Sequence, residues 1–450
     1  MRFFSTFAGH TYAKMKLTAS ISALLFICAS ASGKVIFTDT AKSAVLLDAD
    51  KSSGLSAICI LWNPVDVKMT YRSTAPESIR WYRFGADGAT RAEELTDNVS
   101  IGNGISELTL SEGNCGYIVE NGNVREYIWI VDYTKYMPQF TDIGFGTDSD
   151  CNSVELDFAG SASTMTYHGV TGRSYLIDRD FILTFDTLRY DEVSDTYSVE
   201  PVERKYTSLE PLIRVNAPLC DTEFRLSGDC FLAAWDMTES IVSPRYTASA
   251  VEARTYARQL TRDISNEQTK DTDGLGGSAP VEIEFEAAVS DAVVFTEWQI
   301  SDDPEFEAID IRHNDISFTY TFNDEGLRYV RFVAGNADGT CEYFSPTYEI
   351  SIGKSDIKCP NAFSPGNNDG VNDEWKVSYK SILNFDCHIF NSWGIEVARL
   401  KNPADGWDGR YKGKNVPSGV YYYIIDAKGA DGKIYHLKGD INIIKSKNTY

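Results

Sequence analysis

The sequence predicts an all-β protein, made of tandem immunoglobulin-like β-sandwich modules that end in a small β-sandwich domain. Aromatic residues make up 12% of the chain, with 25 Tyr and 23 Phe, and aromatic and β-branched residues favour strands over helices. Apolar and charged residues alternate in runs such as Val281–Phe285, which is typical of strands with one buried face. At 450 residues the chain exceeds one ordinary domain, so we expect several modules.

The amino-terminal residues have the pattern of a secretory signal peptide, residues 1–31. Lys14 and Lys16 precede an apolar run from Leu17 to Cys28, and Ala29-Ser30-Ala31 provides an A-x-A cleavage site. An apolar run of about 12 residues is too short to span a bilayer, which needs about 20. We therefore expect an exported protein without a transmembrane segment.

Changes in composition divide the remaining chain. A polar, charged and Gly-rich stretch with almost no apolar content predicts a linker before the third module. Thr247–Leu260 is Ala-rich enough for a helix, but its alternating apolar and polar residues favour a strand. The predicted bounds are 34–139 for an immunoglobulin-like module, 140–257 for a β-rich module, 258–279 for the linker, 280–353 for the third module and 355–450 for the C-terminal domain.

The third module has its own sequence pattern. Phe295–Ile300 reads as a strand with a central Trp, and Gly326 begins a long strand that ends Asn336-Ala337-Asp338-Gly339. This pattern is similar to PKD and related immunoglobulin-like repeats of bacterial surface proteins. The resemblance implies a spacer or a docking surface.

The net charge of −23 is unevenly distributed, with −25 before the C-terminal domain and +2 within it. Residues 355–450 hold 13 basic and 11 acidic side chains, and this change of charge supports a boundary near Ser355. Nucleic-acid binding needs a basic surface, so the acidic body argues against a nucleic-acid partner. Solubility outside the cell explains the negative charge without any specific ligand.

The C-terminal residues alternate Asn/Gly/Asp turn clusters with apolar runs too short for helices, such as Val420–Ile425. They closely resemble the gliding-motility-associated, or type B, C-terminal domain of proteins secreted by the type IX system of Bacteroidetes. Ser392 departs from the family, which usually carries Arg there. The residues that carry the resemblance are Pro360, Asn361, Phe363, Pro365, Asp369, Gly370, Asn372, Asp373, Phe390, Asn391, Trp393, Gly394, Gly406, Trp407, Asp408, Gly409, Gly419, Tyr421, Tyr422 and Tyr423.

This resemblance implies a sorting domain recognised by the type IX translocon. The protein would then pass through the periplasm and reach the cell surface or the medium. The resemblance specifies a destination and assigns no activity to the modules before it.

Eight cysteines remain once the signal peptide is removed, and an even number in an exported chain predicts disulfides. None lies in a C-x-x-C pair, which argues against zinc or thioredoxin-like chemistry. The candidate pairs are Cys59–Cys115 in the first module, Cys220–Cys230 around a turn and Cys359–Cys387 in the C-terminal domain; Cys151 and Cys341 are left without clear partners, and the connectivity stays open.

The best ligand hypothesis is a calcium ion in the turn after Pro365. The side chains of Asn367, Asp369 and Asp373, with the carbonyl of Val371, resemble the alternate-residue ligands of a calcium loop. The loop lacks a distal bidentate Glu, so we favour the alternative in which these side chains cap their own backbone. No other cofactor is expected.

Two further motifs have a chemical and a structural interpretation. Asp408 is a candidate catalytic acid, but an Asp-Gly turn is the better interpretation. Tyr421 and Tyr423 share one side of a predicted strand and Tyr422 the other, so core and edge packing is favoured over an aromatic binding face.

No catalytic motif is evident in the sequence. The histidines are isolated, and neither H-E-x-x-H nor G-x-S-x-G occurs. We therefore expect a non-catalytic surface protein that binds a protein or glycan, mediates adhesion or has a structural role. The alternatives are an envelope-retained accessory or signalling partner of the secretion and gliding machinery, and a secreted hydrolase.

Overall fold

The structure is a computed structural model that describes residues 35–260, 262, 264–268, 274–365 and 370–444, so the predicted signal peptide lies outside the described residues. The all-β prediction is confirmed. Within the described residues the α-helical content is a single short helix, α1 (Cys230–Ala234). No helix there is long and apolar enough to cross a membrane. Single 3-10 turns occupy Lys51–Ser53, Pro76–Ser78, Ala89–Arg91 and Tyr133–Lys135.

The first sandwich packs a four-stranded sheet, β1-β4-β8-β7, against a six-stranded sheet, β2-β3-β10-β9-β5-β6. Trp81 on β5 fills its core, and the Trp81 indole donates a hydrogen bond to Ser106 Oγ at 2.9 Å. The strands are β1 (Val35–Thr38), β2 (Val45–Leu47), β3 (Ala57–Leu61), β4 (Lys68–Arg72), β5 (Ile79–Phe84), β6 (Glu93–Leu95), β7 (Val99–Gly102), β8 (Ile105–Thr109), β9 (Cys115–Asn121) and β10 (Val124–Asp132).

The second sandwich pairs sheets β11-β12-β17 and β16-β15-β18-β19, and adds a hairpin, β13-β14. Tyr167 of this hairpin and Trp235 beside α1 pack on Trp129 and Tyr133 of the first module, so the two modules share a buried core. The strands are β11 (Gln139–Phe145), β12 (Ser153–Ser161), β13 (Met165–His168), β14 (Ser174–Ile177), β15 (Phe181–Asp191), β16 (Thr196–Tyr206), β17 (Leu212–Asn216), β18 (Arg225–Ser227) and β19 (Ser240–Val242).

The third sandwich consists of sheets β20-β22-β25 and β21-β28-β26-β23-β24, with β27 paired to β26. The strand predicted within Thr247–Leu260 is confirmed, but it pairs with β22 and so belongs to this module rather than to the second. The strands are β20 (Ala253–Gln259), β21 (Leu275–Gly277), β22 (Val281–Val289), β23 (Phe295–Ser301), β24 (Ile311–His313), β25 (Ser317–Phe322), β26 (Gly326–Gly335), β27 (Glu342–Phe344) and β28 (Tyr348–Ile352).

The C-terminal domain is built on a five-stranded sheet, β30-β37-β36-β32-β33, with the two-stranded sheets β29-β31 and β34-β35 beside it. Its buried face forms one hydrophobic core around Trp375, Trp407 and Ile425. The strands are β29 (Asp356–Lys358), β30 (Ala362–Phe363), β31 (Ser378–Lys380), β32 (Ile382–Phe390), β33 (Glu396–Leu400), β34 (Arg410–Tyr411), β35 (Lys414–Asn415), β36 (Gly419–Gly429) and β37 (Ile434–Ile443).

The predicted Cys59–Cys115 disulfide is wrong, and the sheet register explains why. Cys59 on β3 and Cys115 on β9 both pair with Ile130 on the intervening strand β10. Neighbouring strands lie about 4.8 Å apart, so the two Cα atoms are separated by about two strand spacings. A disulfide needs Cα atoms within about 7 Å. Both residues are free, buried thiols.

The other two predicted pairs are also free thiols in the structure. Cys220 is buried, whereas Cys230 starts α1 and is exposed because the helix turns Phe231 and Leu232 inward. Cys387 is buried on β32. Cys359 is partly buried, and its thiol is not bonded to Cys387.

The disulfide that the structure contains joins the two cysteines left without partners, Cys151 and Cys341, with a Cα–Cα distance of 5.6 Å. Cys151 lies in the loop before β12 and Cys341 in the loop before β27, 190 residues later. The bond therefore fastens the second sandwich to the third.

Disulfide mapping checks this connectivity. When the folded protein is denatured in iodoacetamide without reductant, we expect one cross-linked peptide pair, containing Cys151 and Cys341. The six other described cysteines should be alkylated, because each is a free thiol. A reduced sample, with all eight alkylated, is the control. A linked pair among the six would contradict the structure.

The predicted linker, 258–279, is wrong in part. Gln259 closes β20, Leu275–Gly277 forms β21, and the described residues 264–268 lie against the C-terminal domain. Polar composition predicted solvent exposure, but the Asn266 and Gln268 side chains donate hydrogen bonds to the C-terminal domain. Residues 269–273 lie outside the described residues.

Candidate functional site

The buried motif residues of the C-terminal domain hold its fold together. Trp407 is 3% exposed, and its ring lies 5.4 Å from the Phe363 ring and 5.2 Å from the Tyr421 ring. Trp407 also exchanges two backbone hydrogen bonds with Trp375, at 2.9 and 3.0 Å. Buried aromatic pairs of this kind contribute a large part of core stability. These motif residues are therefore structural.

The Gly406–Gly409 motif is a turn, as predicted. Asp408 Oδ1 accepts a hydrogen bond from the backbone N–H of Arg410 at 3.0 Å. Gly409 has a φ of 73°, and a Cβ there would lie 2.8 Å from Pro365 Cγ. Both the left-handed backbone and the close approach of Pro365 require glycine. The Asp408 carboxylate is used in the turn, which supports the structural interpretation.

The turn between β32 and β33 presents Trp393 to solvent. Asn391 Oδ1 accepts hydrogen bonds from the backbone N–H groups of Trp393 and Ile395, at 3.0 and 2.9 Å. Gly394 has a φ of 78°, which suits glycine at this position. Asn391 and Gly394 thus shape the turn, while the Trp393 side chain is 86% exposed.

The solvent side of the sheet carries an apolar strip, and the turn that bears Trp393 follows Phe390 of this strip. We call these residues together the outer face: Phe390, Trp393, Val420, Tyr422 and Ile424. Tyr422 is 48% exposed and pairs across the sheet with Phe390. Val420 and Ile424 are exposed on the same side of β36. Tyr421 and Tyr422 therefore point to opposite sides, as predicted, with Tyr421 in the core.

Charged pairs border the outer face. Arg399 donates two hydrogen bonds to Asp386, at 2.8 and 2.5 Å, and these bonds hold the pKa of Asp386 at about 2. His388 lies 2.7 Å from Glu396, and its ring stacks on Phe390. An apolar centre with a polar rim is typical of protein–protein interfaces.

Cys359, Cys387 and Tyr421 of this domain are not activated. Burial raises the pKa of Cys387 to about 12, and burial also raises the pKa of Cys359 and Tyr421. A thiol is nucleophilic only as the thiolate. These groups therefore support the fold and offer no nucleophile at neutral pH.

The proposed calcium loop falls largely outside the described residues, since Asn367 and Asp369 are not among them. In the described part, Asp373 Oδ2 accepts a hydrogen bond from Gly370 N–H at 2.9 Å, and Asn372 has a φ of 53°. The Asp373 side chain thus bonds to the backbone of its own loop, and Asn tolerates the left-handed conformation that Asn372 adopts. Among the described residues no group of three or more His, Cys, Asp or Glu side chains could hold a metal ion.

Two family models match the chain. The fibronectin type III domain matches residues 145–243, in the second sandwich, and the CHU_C type IX secretion signal domain matches residues 357–443. No curated protein matches. The PKD-like character of residues 280–353 stays a prediction.

Three solved structures resemble the fold at low identity. Fibronectin(III)-like modules of Clostridium thermocellum CbhA are 11% identical, with 43% of this chain and 97% of that chain covered and a TM-score of 0.17. Dimeric latent PorU from Porphyromonas gingivalis is 11% identical (71% and 35% covered, TM-score 0.17). Three N-terminal domains of the bacteriophage RB49 outer capsid protein Hoc are 8% identical (69% and 100% covered, TM-score 0.21). Such low TM-scores assign no function.

The fold and the two family matches define the class: a multi-domain β protein with a fibronectin type III module. The C-terminal domain is a type IX secretion signal domain. The chain is therefore a type IX secreted protein, which implies export across the outer membrane to the surface or the medium.

Proposed function

We propose that the protein is a non-catalytic surface protein whose three sandwiches act in binding, adhesion or structure, and whose outer face docks on the type IX translocon. The proposal that the outer face docks on the translocon rests on one observation. Of the motif aromatic residues, Phe363, Trp407 and Tyr421 form a buried set, Phe390 and Tyr423 are partly buried, and Trp393 and Tyr422 form an exposed pair. The buried set explains the fold, but the exposed pair does little for stability.

The composition of the outer face supports a protein partner. Tyr and Trp are enriched among the residues that dominate binding energy at interfaces. Exposed apolar patches on soluble proteins commonly mark interaction sites. The secretion apparatus is the partner that the signal domain implies, so we assign the outer face to it.

The junctions in the body support a mechanical or binding role. The first two sandwiches share a core that includes Trp129 and Tyr167. The Cys151–Cys341 disulfide joins the second sandwich to the third. A body with fixed junctions holds a binding surface at a constant distance from the C-terminal domain. Its ligand would be a protein or a glycan.

Substitution of the exposed pair tests the docking role. The double variant Trp393→Ser/Tyr422→Ser should keep the wild-type melting temperature, because both side chains are exposed. Loss of two interface aromatics should weaken translocon binding about tenfold or more. We therefore expect the variant to accumulate in the periplasm, as measured by fractionation and surface proteolysis.

Leu176→Ser is the matched control, since Leu176 is an exposed apolar residue of the body. It should be exported like the wild type. Normal export of the folded double variant would show that the outer face is not the docking surface.

A further inference from the structure

The polar segment 264–268 is part of the structure of the C-terminal domain, although it lies almost 90 residues before the family match begins. Ile264 packs against the core of that domain. The backbone N–H of Gln268 donates to the carbonyl of Tyr379 at 2.7 Å, and Tyr379 N–H donates to the carbonyl of Asn266 at 3.1 Å. The segment thereby adds a parallel bridge to β31.

Side chains strengthen this bridge. The Asn266 amide donates to the carbonyls of Val377 and Pro403, both at 2.8 Å. The Gln268 amide donates to Ser378 Oγ at 2.7 Å. Without the Asn266 side chain, the backbone carbonyls of Val377 and Pro403 lose a hydrogen-bond donor, and without the Gln268 side chain the Ser378 hydroxyl loses one. Such losses are costly where the acceptor is partly buried.

Glu267 ties the same segment to the third sandwich. Its side chain is fully buried, and Oε1 accepts hydrogen bonds from Arg262 Nη2 and from Ser278 Oγ, both at 2.7 Å. A buried carboxylate needs such partners to offset its desolvation. One segment therefore contacts both domains at once.

Two buried serines continue the contact. Ser278 Oγ accepts a hydrogen bond from Ser381 N–H at 2.8 Å, while Ser381 Oγ accepts from Ala279 N–H at 3.1 Å and donates to the Gly353 carbonyl at 2.6 Å. Because the Ser278 hydroxyl also donates to Glu267 Oε1, it makes one hydrogen bond as donor and one as acceptor. Both serines are therefore fully paired, whereas Glu267 Oε2 is buried with no hydrogen-bond partner among the described residues. The paired contacts favour a single arrangement of the two domains.

Apolar contact accompanies the polar network. Ala430 of the C-terminal domain is buried in the core of the third sandwich, and Leu383 packs against that core. The backbone N–H of Glu325 donates to the Ala430 carbonyl at 3.3 Å. The connection at Ser355 is buried as well, and Ser355 Oγ donates to Asp431 at 2.6 Å.

We propose that the secretion signal operates as a composite unit that begins with β20 at Ala253, not at residue 357, and comprises the third sandwich, segment 264–268 and the C-terminal domain. The third sandwich is then the docking partner that holds the signal domain in its folded form. This inference rests on the proposed function, since it concerns the same exported signal.

The test uses the full chain with Asn266→Ala/Gln268→Ala. Hydrogen exchange at residues 377–380 should become about tenfold faster or more, because two side-chain hydrogen bonds to Val377 and Ser378 and a third to Pro403 are lost, and the backbone bridge to Tyr379 is weakened with them. Exchange in the first sandwich should not change. Surface delivery should fall in the same variant. Ser265→Ala, an exposed residue of the same segment, is the matched control.

The outcomes separate this inference from the proposed function. Faster exchange together with reduced export supports the composite unit. Exchange equal to that of Ser265→Ala overturns it, and so does faster exchange with normal export. If deletion of residues 355–450 leaves export intact, the proposed function fails instead.

Discussion

Asp229→Ala is expected to lower the free energy of unfolding of the joined first and second sandwiches by about 3–5 kcal/mol. Asp229 is fully buried and Arg179 is 2% exposed in its side chain. Arg179 Nε donates to Asp229 Oδ2 at 2.7 Å, and Tyr133 Oη donates to Oδ1 at 2.8 Å. Removal of the carboxylate leaves a buried guanidinium without its counter-charge.

The same carboxylate has a second role that adds to this cost. It caps α1 by accepting hydrogen bonds from the backbone N–H groups of Phe231 and Leu232, at 3.2 and 3.1 Å. Loss of an N-cap costs about 1 kcal/mol by itself. Because Tyr133 belongs to the first module and Asp229 to the second, the variant should weaken the junction between them.

Chemical denaturation of the full chain measures the effect. Asp157→Ala is the matched control, since Asp157 is exposed on β12 and should change stability by less than about 0.5 kcal/mol. If Asp229→Ala unfolds at the same denaturant concentration as Asp157→Ala, the buried pair does not hold this junction.

Local sequence patterns were sufficient for the strands. The alternation of Val281–Phe285 predicted a half-buried strand, and Val281, Ile283 and Phe285 are buried on β22. The prediction that Tyr421 and Tyr422 face opposite sides of a strand is confirmed for the same reason. Side chains in a strand alternate with a period of two, so the pattern itself carries the information.

Contacts between distant residues were beyond these patterns. Cys59 and Cys115 looked like a pair, yet strand β10 separates them. Cys151 and Cys341 lie in loops of different sandwiches, and the arrangement of those sandwiches decides their bond.

The exposed tryptophan and the polar residues that join two domains were equally hard to predict. Trp393 is conspicuous in the motif, but only the turn around Asn391 shows that it points outward. Asn266 and Gln268 have the composition of a linker, and their partners, the Val377 carbonyl and the Ser378 hydroxyl, become evident only in the folded chain.

Deletion of residues 355–450 should have the largest effect on export. The family match places the type IX signal within this region, and the outer face is lost with it. The first two sandwiches keep their cores, the third loses only Ala430 and Leu383 from its core contacts, and the Cys151–Cys341 bond is kept. We therefore expect the truncated body to enter the periplasm, fold there and remain.

Fractionation of cells that express the full chain or the truncated chain tests this most directly, with the Cys151–Cys341 peptide as the check that the body has folded. The account predicts full-length protein at the surface or in the medium, and truncated protein in the periplasm, protected from protease added to intact cells. Truncated protein at the surface or in the medium at the full-length level would contradict it.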